Sequence, residues 1–214
     1  AWLEQFLGKY NDAIQTLAKA RALDPKSPFI PYRIGVSHYF LSQLPQAQKS
    51  CEEALRLNPK YAAAYLLLGM IQLKQEDFSA ARANLQRAVD LDPREPLSRR
   101  DLGIAAFEAG NAAEGKQQLD QALLLDPKDP IAYFWRAKLL ASEGAKKEAI
   151  ADLNAAVAID ANYSDAYSEL ARLYAENGQP HQAAMTVAKQ KTIKASMQTA
   201  DRDRLLRNLP GATR

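Results

Sequence analysis

The chain has 214 residues, with 28 Lys plus Arg against 25 Asp plus Glu, a net charge of +3 and a single cysteine, Cys51. That balance, without any block of like charge, argues against a nucleic-acid partner, and one cysteine excludes an internal disulfide framework. No 18-residue apolar run is present, so no membrane span is expected; no signal peptide is visible, and the start at AWLEQFLG, without Met, leaves both an upstream segment and the compartment (cytoplasm or periplasm) open.

A fixed ruler runs along the chain. ARALDP ends at Pro25, ALRLNP at Pro59, AVDLDP at Pro93, ALLLDP at Pro127, and AVAIDA at Ala161, each step being 34 residues. A period of this length decides architecture before any local reading. The first block is incomplete and begins inside a helix containing Trp2, Leu3, Phe6 and Leu7; it is expected either to extend further upstream in the native protein or to be covered by another chain. Each block then carries a second helix, B, expected near 11–24, 45–58, 79–92, 113–126 and 147–160. Its inward stripe is Ala13, Leu17, Ala20 in the first block. The same columns read Ala47, Cys51, Ala54, then Ala81, Leu85, Ala88, then Gly115, Leu119, Ala122, then Ala149, Leu153, Ala156. Spacings of four, three and seven place these on one helix face. In the LDP ending, Leu is expected to enter the core, Asp or Asn to cap the turn, and Pro to stop the helix.

The first helix of each block, A, repeats a column of Gly35, Gly69, Gly103, Ala137 and Ala171, preceded by Ile34, Leu68, Leu102, Arg136 and Leu170. Pro28, Pro96 and Pro130 open three of these helices, where a missing amide costs nothing. Between A and B lies a turn column of Gly8, Ser42, Glu76, Gly110, Gly144 and Gly178, suited to the left-handed conformation that ends a helix. The small-residue columns allow close helix approach, and the large neighbours fill the ridges. In the last block the ruler weakens at Gln190 and Ala195, and HQAAMTVAKQKTIKASM (181–197) reads as a longer, more polar capping helix. A short final helix, TADRDRLLRNL (199–209), is expected after it with Thr199 as N-cap.

This pattern resembles the tetratricopeptide repeat, most closely in YLLLGMIQLKQEDFSAARANLQRAVDLDP (65–93). The resemblance implies an all-α, right-handed superhelical solenoid of 34-residue helix-turn-helix repeats. They would be a partial first repeat at 1–27, then 28–61, 62–95, 96–129, 130–163 and 164–198, with 199–214 a short C-terminal helix and tail. Tyr65, Tyr133 and Tyr167 keep a column where the family favours Trp or Tyr; Pro31 and Arg99 depart from it.

No catalytic set is apparent. His38 and His181 are 143 residues apart. Cys51 stands in a column of Leu and Val and reads as a small buried hydrophobe. Asp90, Asp92, Asp126 and Asp160 recur with the repeat and do not form a metal cluster. No cofactor is implied, and the chain is expected not to be an enzyme. Some members of the family bind chaperone C-terminal tails through a clamp of Lys, Asn and Arg. That register falls on Tyr32, Val36, Leu67, Leu97 and Asp101, or one repeat later on Leu66, Met70, Asp101, Ile131 and Trp135, and neither set fits.

Helix A carries a second apolar stripe besides its packing stripe. It comprises Phe29, Tyr32, Val36, Tyr39 and Phe40, then Leu66, Met70 and Leu73 with Lys74. It continues with Leu97, Ile104 and Phe107, interrupted by Arg100 and Glu108, then Ile131 and Phe134 with Lys138. In the sixth repeat it turns polar at Asp165, Ser168, Arg172 and Glu176. A helix apolar nearly all round either is buried or presents an adhesive surface. In the family these columns line the concave groove. The expected function is therefore a scaffold binding a protein or peptide, extended or helical, through Tyr32, Val36, Tyr39, Phe40, Leu66, Met70, Lys74, Arg100, Ile104, Phe107, Phe134 and Lys138. Lys74, Arg100 and Lys138 would orient an acidic group of the partner. The alternatives are a self-associating module, acting through the N-terminal end or the groove, and the non-catalytic arm of a larger enzyme.

Overall fold

The structure, a computed structural model, describes residues 1–207, with side chains for all of these except Trp2, Met197 and residues 200–207. Every regular element among the described residues is an α-helix. The chain forms two compact units, Ala1–Asp126 and Pro127–Arg214. The first contains α1 (Trp2–Phe6), α2 (Tyr10–Leu23), α3 (Phe29–Phe40), α4 (Leu44–Leu57), α5 (Ala62–Lys74), α6 (Phe78–Leu91), α7 (Pro96–Glu108) and α8 (Ala112–Leu125). The second contains α9 (Pro130–Ser142), α10 (Lys146–Ile159), α11 (Ser164–Glu176) and α12 (Pro180–Arg207). Odd-numbered helices are A and even-numbered are B. Each B helix from α2 to α10 starts and ends one residue before the expected bounds.

Within each unit an A helix packs on its own B helix and on the elements of the next repeat. The core sits along the small-residue columns: Ala47 and Cys51 against Leu67, Leu68 and Ile71; Ala81 and Leu85 against Leu102 and Ala105; Ala149 and Leu153 against Leu170 and Leu173. These side chains are buried because the two periodicities of the block, A and B, face one another only there.

The A–B turn is the same in all six copies. Gly8, Ser42, Glu76, Gly110, Gly144 and Gly178 all have φ between 58° and 86°. The residue after each donates its N–H back to a carbonyl of the helix just ended, as in Gln43 to His38 at 2.9 Å and Asn111 to Ala106 at 2.8 Å. This bond pattern satisfies helix-end carbonyls. Ser42 and Glu76 adopt it at the cost that a Cβ brings to a left-handed backbone. Replacing either by Gly is expected to stabilise the chain by about 0.5–1 kcal/mol, after allowing for the looser unfolded chain. Urea midpoints check this, and a lower midpoint in both variants would contradict it.

Two expectations are corrected. The Leu of LDP does not enter the core: Leu23, Leu91, Leu125 and Ile159 are exposed. The inward stripe ends at the Ala20 column, and the next residue takes the apolar contact. Val89 and Leu123 are buried there, and Leu55 and Val157 pack on the core edge. The acidic or Asn member does cap the turn. Asn58, Asp92 and Asp160 accept N–H bonds from Lys60, Arg94 and Asn162 at 2.9, 3.2 and 2.9 Å. The second correction concerns the C-terminus. α12 runs unbroken from Pro180 to Arg207, and Thr199 donates its hydroxyl to the Ala195 carbonyl inside the helix. No Gly or Pro interrupts 181–207, so propagation continues through the expected break. The tail at 208–214 lies outside the described residues.

Candidate functional site

The A helices of the first unit, α3, α5 and α7, adjoin one another as well as their B partners. This explains why they are apolar nearly all round: part of the second stripe is spent on A–A packing. Tyr32, Val36 and Tyr39 are half-buried against the Leu67, Leu68 and Ile71 cluster, and Leu66 packs beside Leu73 on the next. Met70 and Phe107 are half-buried. Ile104 is only 8% exposed and offers a partner almost no area, which corrects its place in the expected surface. At the other extreme, Phe40 is 57% exposed and Phe29 52%. Phe40 stacks on Tyr10 with ring centroids 5.1 Å apart.

The cations expected to meet an acidic group have partners inside the chain. Arg100 Nε lies 2.8 Å from the buried Asp101 carboxylate. Lys74 Nζ sits 4.1 Å from the Tyr39 ring centroid. In the second unit, Lys138 Nζ lies 3.8 Å from the Trp135 ring centroid, and Phe134 packs on Tyr163 at 5.1 Å. Cation–π contacts of this kind hold the ammonium over the ring face and orient it without neutralising it. The pairing of Arg100 weakens the case for an acidic ligand at that position.

A cavity of about 200 Å³ opens between α3, α5 and α7, lined by Tyr32, Ala63, Leu66, Leu97, Glu95 and Ser98 among others. Sequence reasoning missed Glu95 and Ser98. The signal was present: Glu95 stands in a turn column that holds Tyr61 and Tyr163 in two other repeats and Asp129 in a third.

Other polar groups are structural. Arg136, in a column of Leu and Ile, donates from Nε and Nη2 to the two Asp152 carboxylate oxygens, each at 2.7 Å. His38 Nδ1 lies 2.6 Å from Gln43 Oε1. Gln5 Nε2 donates to the Arg33 carbonyl and to Ser37 Oγ at 2.7 and 2.6 Å, tying α1 to α3. Cys51 is fully buried, and burial first, with Glu52 adding, pushes its thiol from 9.0 up to about 12. The folded state therefore favours the neutral thiol. Its contribution is complete below the unfolded pKa and is lost as pH rises towards 12. In the sixth repeat, the polar columns bind one another: Arg172 pairs with Glu169 and Glu176. Among the described residues no three His, Cys, Asp or Glu side chains converge to hold a metal, and no helix is long and apolar enough to cross a membrane. Leu3 and Phe6 of α1, and Leu7 just after it, are exposed.

Helix pairs of this length, closed by an identical turn and packed through small-residue columns, define an α-helical repeat protein. The tetratricopeptide repeat pattern matches residues 32–96 and 100–164, and the chain belongs to that family. No curated protein matches it. Its fold is similar to that in the APC/C hetero-tetramer Cut9–Hcn1, with a TM-score of 0.80 and 21% identity over 89% of this chain and 38% of that one. The chain thus spans well under half of that protein's length. It is also similar to PilF of Pseudomonas aeruginosa (TM-score 0.78, 19% identity, 89% of this chain and 86% of that one). A third likeness is to YrrB, described as a TPR protein with an unusual peptide-binding site (TM-score 0.65, 20% identity, 89% of this chain and 98% of that one).

Proposed function

We propose that the protein is a non-catalytic scaffold that binds a protein or peptide segment across the A-helix face of its first unit. The observation that carries this reading is the uncovered apolar surface along α3, α5 and α7. Phe29, Phe40 and Leu97 are exposed there, with Tyr32 and Leu66 half-buried beside the cavity and Met70 half-buried one turn further along α5. Aromatic and Met side chains are enriched at the energetic centres of interfaces, and Met adapts its shape to different ligands. The same face of the second unit offers Phe134, Trp135 and Lys138. The peptide-binding description of YrrB supports the reading by analogy of fold.

The test is selection of random dodecapeptides on the immobilised protein, followed by affinity measurement on wild type and Met70→Glu. Met70 is half-buried, so the variant places a charge on this face without touching the Leu68–Gly69 packing. Selected peptides are expected to bind the variant at least about tenfold more weakly, or roughly 1.4 kcal/mol, with circular dichroism and melting nearly unchanged. Failure to enrich any peptide, or equal binding to both proteins, overturns this reading.

A further inference from the structure

The 34-residue ruler pairs one A-helix residue with one residue of the following B–A turn, and the pairs differ. Tyr32 meets Tyr61 edge-on, with ring centroids 5.4 Å apart. In the second unit Phe134 meets Tyr163 at 5.1 Å. In both, the turn tyrosine fills the space beside the A helix. Two corresponding pairs lie between them, Leu66 with Glu95 and Arg100 with Asp129, and neither turn residue is aromatic. The cavity between α3, α5 and α7 lies beside Leu66 and Glu95.

The lining of that cavity is of two kinds. Ala63, Leu66 and Leu97 present hydrocarbon; Asp92 and Glu95 present carboxylates. Glu95 uses Oε1 to accept the Leu97 N–H at 3.1 Å, and Asp92 uses Oδ1 to accept the Arg94 N–H at 3.2 Å. Neither carboxylate has a cationic side-chain partner within 4.0 Å among the described residues. Arg33, the cation nearby, is directed at the Phe29 ring, 5.7 Å from its centroid. Ser98, 2% exposed, also lines the cavity. The charge of Glu95 reaches across the cavity: burial chiefly, then Tyr61, with Glu95 contributing, raises the Tyr32 phenol above its usual value.

We infer that this cavity is a side-chain pocket for a lysine or arginine of the bound partner, with the aliphatic stem against Leu66 and Leu97 and the cationic head against Glu95 and Asp92. Lys and Arg combine a hydrocarbon stem with a charged tip, and they bury the one while hydrogen-bonding the other. The volume suits one such side chain. It falls below the roughly 300–1,000 Å³ of pockets that hold whole small molecules. Ser98 Oγ and the Tyr32 hydroxyl accept the N–H groups that the carboxylates leave over. The inference rests on the peptide-binding reading for its biological sense, but the pocket is tested without a peptide.

The probe is n-butylguanidinium, titrated into the ¹⁵N-labelled full chain and followed by amide shifts. Butyrate and n-butanol serve as controls of opposite charge and of no charge. Saturable shifts are expected at Ala63, Leu97 and Ser98 with the cation alone. Glu95→Gln keeps a side-chain oxygen for the Leu97 N–H and is expected to weaken the cation about fivefold to tenfold. Asp92→Asn, which likewise keeps its turn, should weaken it less. Shifts scattered over the surface, equal response to butanol, or no effect of Glu95→Gln overturns the pocket. If the titration succeeds and no dodecapeptide can be selected, the peptide-binding reading fails and the cation pocket stands. If peptides are selected and the titration fails, the pocket alone is wrong.

Discussion

Gly115→Leu is expected to lower the stability of the first unit by about 3 kcal/mol or more. Gly115 of α8 faces Gly103 of α7. A Cβ added at Gly115 would lie 3.0 Å from the Gly103 carbonyl oxygen, 3.1 Å from Phe107 Cβ and 3.2 Å from Phe107 N. Two of those neighbours are backbone atoms inside a helix, which cannot swing aside. Relief would require α7 and α8 to separate. Extra methylenes in a close-packed site typically cost about 1–3 kcal/mol, and leucine adds three carbons beyond the first clash. The higher helix propensity of Leu offsets less than about 1 kcal/mol. Gly115→Ala should therefore lose much less, because that gain nearly cancels one tight contact. Ala113→Leu, two residues away on the exposed side of α8, should stay within about 0.5 kcal/mol of wild type. Urea denaturation followed by circular dichroism separates the three. A wild-type midpoint for Gly115→Leu would show that α7 and α8 are not in close contact at this level.

The close approach of these helices was legible in the sequence because it is periodic. Small residues at fixed columns, a turn residue every 34 positions and the apolar stripes each recur, so one copy corrects another. Most of what escaped does not recur; the Leu of LDP, which does, is the exception. The Leu of LDP looked buried because it is apolar at a fixed place, yet the helix ends there and its side chain faces out. Arg99 looked like a departure from the tyrosine column. In the fold it performs the same bond, since Arg99 Nε donates to the Pro93 carbonyl at 2.9 Å where Tyr65 donates to the Pro59 carbonyl at 3.4 Å. Gln190 looked like the loss of an alanine. It reaches from α12 to the Ser164 carbonyl at 3.2 Å.

The expected binding face shows the same division. Its helices and register could be read from the pattern, but the fraction of each side chain consumed by A–A packing could not. Two apolar members of the expected face ended differently: Ile104 is buried and Phe40 exposed. Arg100 appeared free because its partner, Asp101, follows it immediately in sequence, and adjacent helical residues do not ordinarily face each other. Glu95 was passed over because it lies just before helix A, outside both apolar stripes, although its column holds tyrosine at two other turns.

Asp152→Ala is expected to destabilise the second unit by about 2 kcal/mol or more through the charge it strands. Arg136 occupies a column that is Leu or Ile in the other repeats, so its stem is committed to the α9–α10 contact. Its side chain is 23% exposed, the Asp152 side chain is 11% exposed, and the two share paired bonds of 2.7 Å. Removing one partner of a fully buried pair costs about 3–5 kcal/mol because the remaining charge is left desolvated. The residual exposure of Arg136, and its position 5.5 Å from the Tyr133 ring centroid, moderate that cost. Arg136→Leu restores the residue type of the column and strands a smaller, more easily hydrated carboxylate, so it should cost less than Asp152→Ala. The double variant Arg136→Leu/Asp152→Ala should recover most of the loss, since a hydrophobic replacement for an ion pair is often neutral or better. The double-mutant cycle measures this as a coupling between the two sites. Additive single losses, with no recovery in the double variant, would mean that Asp152 acts through packing alone and that Arg136 finds its solvation elsewhere.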